Sequence, residues 1–224
     1  MKRLTREQSG LTAKEYKTLA RLSTPIKIQD FLDSIPMNWE KKGDTHMSPR
    51  RVLAARKAHC IEGAMLAAAA LWLHGERPLI MNVSPRMGHG DDDHVIALYK
   101  RGGRWGAISK TNHASIRFRD PVYRTLRELV LSYFHEWFLN STGEKVLECY
   151  SKPLDLRTVK HSVFDSPAGW ITSEKDLWEV ADALSELQHY FLVPKGNWRF
   201  VRRADPMELR AGKLIEWPKS DLHT

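Results

Sequence analysis

A run of fifteen residues from Cys60 to His74 is small or apolar almost throughout, and Gly75 follows it directly. A helix that is apolar on all its faces is a buried one, and glycine commonly ends a helix. The continuous part of the run, Ala64 to Leu73, is about half of the roughly 18 residues that span a bilayer. The sequence therefore predicts a buried helix inside a globular domain rather than a membrane anchor.

Three helix starts precede this run. Thr12 and Glu15 form a capping-box pattern, and a proline follows Thr24 and Ser48 at the first helical position. These signals predict helices ending near residue 22, before residue 36 and near residue 56.

Beyond the run, the hydrophobic period becomes that of strands. Gly102-Gly103 predicts a two-residue hairpin turn between strands at 93–100 and 104–109. The remaining segments are predicted as strands at 78–83 and 145–150, helices within 121–138 and 173–190, and an irregular or strand-like stretch at 198–217. Helices followed by antiparallel strands favour an α+β fold over a doubly wound parallel sheet.

The 224 residues leave room for one large domain with an appendage. We expect a basic N-terminal helical segment at 1–25, a core at 26–150 and a C-terminal extension at 151–224 that packs on the core. Two cysteines are too few for a disulfide framework, and the N-terminus lacks the apolar region of a signal peptide. These features predict a cytoplasmic protein.

The net charge of +8 is concentrated near the N-terminus. Residues 1–60 contain 13 Lys and Arg against 6 Asp and Glu, whereas the rest of the chain is close to balanced. Such an excess occurs on ordinary solvated helices and on surfaces that bind an acidic partner, and both interpretations stay open. Nucleic acid is the less favoured partner, because the sequence has no zinc-finger spacing, RNP-like aromatic run or zipper.

Cys60 begins the predicted buried helix, where unpaired N–H groups and the helix dipole favour a thiolate. Cys149, inside a predicted strand, is interpreted as structural. In a hairpin that turns at Gly102-Gly103, Ile96 lies opposite Ser109 and His94 opposite Thr111. His94 and Ser109 are then diagonal neighbours on one face. A histidine between a thiol and a hydrogen-bonding group is the arrangement of an activated nucleophile.

The segment 48–83, with the sequence RKAHCIEGA around Cys60, resembles the transglutaminase-like superfamily of papain-like folds. The resemblance covers about residues 26–112. It implies a nucleophilic cysteine at the head of a buried helix and a histidine that opens a strand, here His94. It also implies a second strand that carries a tryptophan, here Trp105, and an aspartate four residues later. Ser109 stands where that aspartate is expected.

Three interpretations of this departure stay open. Ser109 orients His94 in a slower enzyme, or Asn112 does so, as a neutral asparagine does in papain-type enzymes, or catalysis has been lost. The leading hypothesis is acyl chemistry on a peptide or protein amide by Cys60 and His94, with Ser109 or Asn112 as the third residue and no cofactor. The acyl group would pass to water or to an amine. The alternative is an inactive protein-binding module on the same fold.

Neighbouring polar residues allow competing interpretations. The segment from His89 to His94 contains metal-ligating residue types, but consecutive residues of an extended chain point in alternate directions, so we predict an acidic loop and no metal. Its charge would lie beside the cleft, where it could select a cationic substrate. His59 is a rival base that we expect to point away from Cys60. Glu62 is interpreted as a first-turn carboxylate that suits the helix dipole.

Overall fold

Helices fill the first third of the chain, and strands follow them. A computed structural model describes residues 2–41, 43–88, 91–159 and 166–216. The α-helices of these ranges are α1 (Arg6–Ser9), α2 (Ala13–Arg21), α3 (Pro25–Asp33), α4 (Pro49–Ala55), α5 (Cys60–Leu73), α6 (Leu126–Phe134), α7 (Trp178–Ser185) and α8 (Pro206–Gly212). The strands are β1 (Leu79–Pro85), β2 (His94–Arg101), β3 (Arg104–Ser109), β4 (Arg119–Tyr123), β5 (Leu147–Ser151), β6 (Leu154–Asp155) and β7 (His189–Phe191).

The predicted helix starts are confirmed. The side chain of Thr12 accepts a hydrogen bond from Glu15 N, and the Glu15 carboxylate accepts one from Thr12 N, which completes a capping box at α2. The side chains of Thr24 and Ser48 cap α3 and α4 by accepting from Lys27 N and Arg51 N, and each is followed by proline. These local signals act within one turn, and they were therefore readable from the sequence.

The apolar run forms α5, and every residue from Ile61 to Leu73 is buried. The helix packs against α2, α3 and α4 on one side and against β2 and β3 on the other. Gly63 allows the closest approach, since a Cβ there would lie 2.5 Å from Lys110 Cβ. The prediction of a buried helix with close neighbours is confirmed.

The strands described here form one antiparallel sheet in the order β4-β3-β2-β1-β5-β7, with β6 also paired to β1. In the β2–β3 hairpin, Ile96 pairs with Ser109, so the predicted register is confirmed. Val95 and Ala97 join the apolar cluster that contains α5, whereas Ile96 and Leu98 join a second cluster with α6. The fold is therefore α+β, with an antiparallel sheet covered by helices on both faces.

Two long helices predicted from spacing were wrong in part. Pro121 lies in β4, and the helix within 121–138 is only α6. A proline is tolerated there because β4 is an edge strand, which leaves one side of its backbone unpaired. Within 173–190, α7 is short and is followed by β7, which pairs with β5.

The C-terminal stretch was also predicted wrongly. Instead of an irregular or strand-like segment, it contains a 3₁₀ helix at Lys195–Phe200 and helix α8. Asp205 caps α8, and Glu208 completes a capping box, a signal that the sequence analysis missed. Trp217, at the end of the predicted stretch, lies outside the described residues.

Both ends of the described chain pack on the same core. Leu4 and Leu19 from the N-terminal segment, and Trp170 and Leu184 from the region after residue 150, belong to the apolar cluster around α5. Of the helices in the described ranges, none combines the length and apolar character that crossing a membrane requires.

Candidate active site

Cys60 is the first residue of α5 and lies in the wall of a cavity of about 730 Å³. The side chain is half-buried. The first N–H groups of a helix have no partner within it, so the start of α5 presents donors and the positive end of the helix dipole near the thiol. The predicted position at a helix start is confirmed, and the rest of the site is assembled around it.

His59 contacts the thiol, and the expectation that it points away from Cys60 was wrong. Its Nδ1 lies 3.9 Å from Cys60 Sγ. On the other side of the ring, Nε2 lies 2.7 Å from the carbonyl oxygen of Thr45 and 3.4 Å from carboxylate oxygens of Glu40 and Glu62. The ring is therefore held between the thiol and acceptors supplied by a loop that is distant in sequence.

Glu62 is the anchor of this loop, in contrast to its interpretation as an ordinary first-turn carboxylate. The side chain is 0% exposed. It accepts hydrogen bonds from Asn38 Nδ2 (3.1 Å), Thr45 Oγ1 (2.8 Å) and Met47 N (3.0 Å), and from His59 N (3.0 Å). Burial alone would raise the pKa of Glu62, but hydrogen bonding and the charge of His59 lower it. Glu62 therefore stays ionised beside His59.

This environment keeps His59 protonated. Burial on its own would lower the pKa of His59, but hydrogen bonds to Cys60 and Glu62, together with their negative charges, raise it to about 11. Near neutral pH the ring is an imidazolium. His59 is thus a fixed cation next to the thiol and holds its proton too tightly to exchange it during a reaction.

His94, the first residue of β2, is the second histidine at the thiol. Its Nε2 lies 2.7 Å from Ser109 Oγ, and the Ser109 hydroxyl donates to the carbonyl oxygen of Ile116 at 2.8 Å. Because the hydroxyl gives its only hydrogen to Ile116, it accepts from His94. This network assigns one ring hydrogen of His94 to Nε2 and leaves Nδ1 as the nitrogen that takes up and releases a second proton.

Ser109 is itself held by Gln29 of α3, which the sequence analysis did not single out. Gln29 Nε2 donates to the Ser109 carbonyl oxygen at 2.8 Å, and Ser109 N donates to Gln29 Oε1 at 3.0 Å. The available signal was a glutamine on the otherwise apolar buried face of α3, next to Ile28. This pair fixes the end of β3, where the strand presents its hydroxyl to His94.

Asn112, the alternative third residue, lies in the cavity wall beyond β3. Its carbonyl oxygen accepts a hydrogen bond from Glu216 N at 2.8 Å. Thr111, predicted to lie opposite His94, is also beyond the end of the strand, and its hydroxyl accepts from His113 N. The contact to His94 Nε2 comes from Ser109, which the hairpin register brings to it.

The two histidines together reverse the effect of burial on the pKa of the Cys60 thiol. Burial would raise the pKa of Cys60, whereas hydrogen bonds and charge from His59 and His94 lower it to about 6. A thiol with this pKa is largely thiolate at neutral pH, which is the nucleophilic form.

Trp137 borders the site as well as the core. Its ring meets the His94 ring edge-on, with centroids 6.1 Å apart. The indole Nε1 donates to Asp91 Oδ2 at 2.6 Å. Trp137 therefore packs the histidine and ties down the start of the acidic segment at 91–93.

The metal alternative finds no support within residues 2–41, 43–88, 91–159 and 166–216, where no group of three or more His, Cys, Asp or Glu side chains could hold an ion. His89 and Gly90, which belonged to that interpretation, lie outside the described residues.

Comparison with known proteins gives no family for the chain. A scan against protein-family models found no match, and a search of curated proteins found no significant similarity.

Proposed function

We propose that this protein is a cysteine-dependent enzyme for acyl chemistry on an amide or peptide bond, built on a transglutaminase-like, papain-like core. The observation that carries the proposal is a thiol in the wall of a cavity, 3.9 Å from Nδ1 of His59 and sharing that wall with His94, with its pKa lowered to about 6. The roles of the two histidines differ, and that difference defines the mechanism.

His59 supplies charge. Its protonated ring, fixed by Glu62, stabilises the Cys60 thiolate before any substrate arrives. His94 moves the proton, because Ser109 fixes its tautomer and leaves Nδ1 able to accept and release one. Ser109 acts as a positioning residue in place of the expected aspartate.

In the first half-reaction, the Cys60 thiolate attacks the carbonyl carbon and forms a C–S bond. His94 Nδ1 has taken the proton of the Cys60 thiol and gives it to the leaving nitrogen as the C–N bond breaks, so that a thioester remains on Cys60. In the second half-reaction, His94 takes a proton from water or an amine, whose oxygen or nitrogen attacks the thioester carbon. The C–S bond breaks and the thiolate is restored. N–H groups at the start of α5 are placed to stabilise the oxyanion.

The test is to trap the acyl-enzyme with p-nitrophenyl acetate as a neutral acyl donor. We expect a burst of one nitrophenolate per protein and one acetyl group on Cys60, located by peptide mass spectrometry. Cys60→Ala should abolish the burst, and Cys149→Ala should leave it unchanged. His94→Ala should slow turnover by about 100-fold, the lower range for loss of an acid–base group.

Hydrolytic and transfer activities are then separated by product analysis. Peptide amides are incubated with the protein, and released ammonia or amine is measured with and without an added primary amine. If Cys60 is acetylated no faster than Cys149, the catalytic proposal is wrong, and the alternative of an inactive binding module on this fold takes its place.

A further inference from the structure

The wall of the cavity is acidic although the chain is basic. Six carboxylates line it within the described residues, namely Glu40, Asp44, Asp91, Asp92, Asp93 and Glu136. Lys110 is the one Lys or Arg among these described lining residues, and its Nζ donates to the carbonyl oxygens of Leu32 and Ile35 instead of facing the cavity. The charge of this wall is therefore opposite in sign to the net charge of the chain, which is +8.

The carboxylates differ in how far their charge is already balanced. Glu136 is paired with Arg119, and Glu40 lies beside His59. By contrast, Asp91 accepts from the neutral indole of Trp137, and Asp93 accepts from the side-chain amide of Asn82 at 2.8 Å. None of the ion pairs among the described residues involves residues 91–93. Among the described residues, therefore, no cation is paired with this segment of the cavity wall.

Asn82 provides an independent indication of what the wall binds. The residue lines the cavity and is 6% exposed, and its Oδ1 has no hydrogen-bond partner in the part of the chain that the structure describes. Its Nδ2 donates to both Ser84 Oγ and Asp93 Oδ2, and a flipped amide would place two oxygens against each other. The unpaired atom is thus an acceptor, and a buried acceptor without a donor is costly. The missing group is a hydrogen-bond donor.

We infer that the substrate carries an ammonium or guanidinium group, which binds against residues 91–93 and donates to Asn82 Oδ1. This inference rests on the proposed function. A group of this kind satisfies both observations, since it supplies positive charge to the carboxylates and N–H donors to the amide oxygen. Asp93 and Asn82 line the same cavity as Cys60 and His94, so the bound cation would share that cavity with the reacting groups.

The first experiment measures how charge affects access to Cys60, in a Cys149→Ala background. Methanethiosulfonates with an aminoethyl, a methyl or a sulfonatoethyl group label the thiol. The rate of each reagent with Cys60 is divided by its rate with free 2-mercaptoethanol, which corrects for the intrinsic reactivity of the reagent. We expect the corrected ratio of cationic to anionic rates to be about tenfold or more at low salt and to fall in 1 M salt.

Matched variants locate the effect. The double variant Asp92→Asn/Asp93→Asn should bring the corrected ratio close to one, whereas Asp120→Asn, an exposed aspartate outside the cavity lining, should leave it unchanged. Asn82→Ala should reduce the aminoethyl rate without altering the net charge. The rate of the neutral methyl reagent shows in each variant that the site is intact.

The second experiment identifies which substrate carries the cation. Acylation by p-nitrophenyl 4-guanidinobenzoate is compared with acylation by p-nitrophenyl benzoate. Separately, lysine amide and norleucine amide compete as acceptors for the acetylated enzyme. Preference for the guanidino ester places the cation on the acyl donor, and preference for lysine amide places it on the acceptor.

The two failures are distinguishable. If the neutral reagent labels Cys60 rapidly but charge has no effect in any of these assays, the cationic substrate is excluded and the proposed function stands. If the neutral reagent labels Cys60 no faster than it labels Cys149 in the otherwise unaltered chain, the proposed function itself fails.

Discussion

The two cysteines of this chain are both free, yet their surroundings move their acidities in opposite directions. Cys149 is 8% exposed in β5, and burial, followed by the charge of Glu148, raises its pKa to about 11. Burial also acts to raise the pKa of Cys60, but two imidazoles reverse it and bring the value to about 6. Burial is common to both sites, so the polar neighbours decide whether the pKa of each thiol rises or falls.

The neighbours differ because of where each cysteine sits in its element. Cys149 lies within β5 and pairs with Ser84 of β1, so its polar surroundings are the Ser84 hydroxyl and the carboxylates of Glu148 and Asp93. Cys60 lies at a helix start, where a loop, a helix and a strand end converge and can place two rings on one thiol. Convergence of several elements, more than exposure, is what distinguishes the reactive cysteine.

The largest expected effect is the difference in alkylation rate between the two thiols. At pH 6 the pKa values imply thiolate fractions that differ by about 10⁵, and the lower intrinsic reactivity of a more acidic thiol offsets part of this. We expect iodoacetamide to modify Cys60 about 100-fold faster or more, measured by peptide mass spectrometry. Because the thiolate reacts, the Cys60 rate should rise with pH and reach half its plateau near pH 6.

Unfolding provides the control for this measurement. In concentrated guanidinium chloride both cysteines lose their neighbours, so their rates should converge. Equal rates in the folded protein would show that the difference in acidity does not exist.

The next effect comes from removing the fixed cation. In His59→Gln, the imidazolium next to Cys60 is lost, so the pKa of Cys60 should rise and its alkylation rate at pH 6 should fall about tenfold. Glu62→Gln should act in the same direction, because Glu62 keeps His59 protonated. The measurement is the pH profile of alkylation, with Cys149 as internal reference.

His46 is the matched control for the His59 and Glu62 variants. It also lines the cavity, but its ring packs at a tilt against Trp178, with 4.1 Å between centroids, and reaches the His59 ring (5.9 Å) rather than the thiol. His46→Gln should leave the midpoint of the Cys60 profile in place. A similar shift in both variants would mean that general disturbance of the cavity, and not the charge of His59, controls the thiol.

The sequence predicted those parts of the site that depend on local patterns. The apolar run and Gly75 predicted the buried helix, and Gly102-Gly103 predicted the register that brings Ser109 to His94. Turn geometry and helix periodicity act over a few residues, so a single sequence contains them. The family and the chemistry stay predictions, since neither comparison with known proteins tests them.

The parts that were missed depend on contacts between distant segments. His59 turns toward Cys60 because Thr45 and Glu40, from a preceding loop, hold the far side of its ring. Gln29 holds Ser109 from 80 positions away in the chain. Likewise, the helix predicted within 173–190 ends early because β7 pairs with β5. Spacing within one segment carries no information about such partners.

A smaller effect is expected from the positioning of His94. Ser109→Ala removes the group that fixes the ring but leaves both imidazoles, so the acetylation burst should slow about tenfold while the alkylation midpoint moves little. Thr111→Val, a nearby buried hydroxyl that bonds to His113 N, is the control and should retain the burst. A large shift of the midpoint in Ser109→Ala would show that Ser109 controls the charge of the site and not only its geometry.

The smallest expected effect comes from changing a neighbour of Cys149 instead of a neighbour of Cys60. A hydrogen bond from Ser84 lowers the pKa of this thiol, against the larger opposing influences of burial and Glu148. In Ser84→Ala the pKa of Cys149 should therefore rise further, and its alkylation at pH 9 should slow about threefold, a modest loss typical of one neutral hydrogen bond. The Cys60 profile should not move, because its acidity depends on two imidazoles that Ser84 does not contact. A neutral hydroxyl thus adjusts the acidity of a buried thiol, while reversing the effect of burial requires cations.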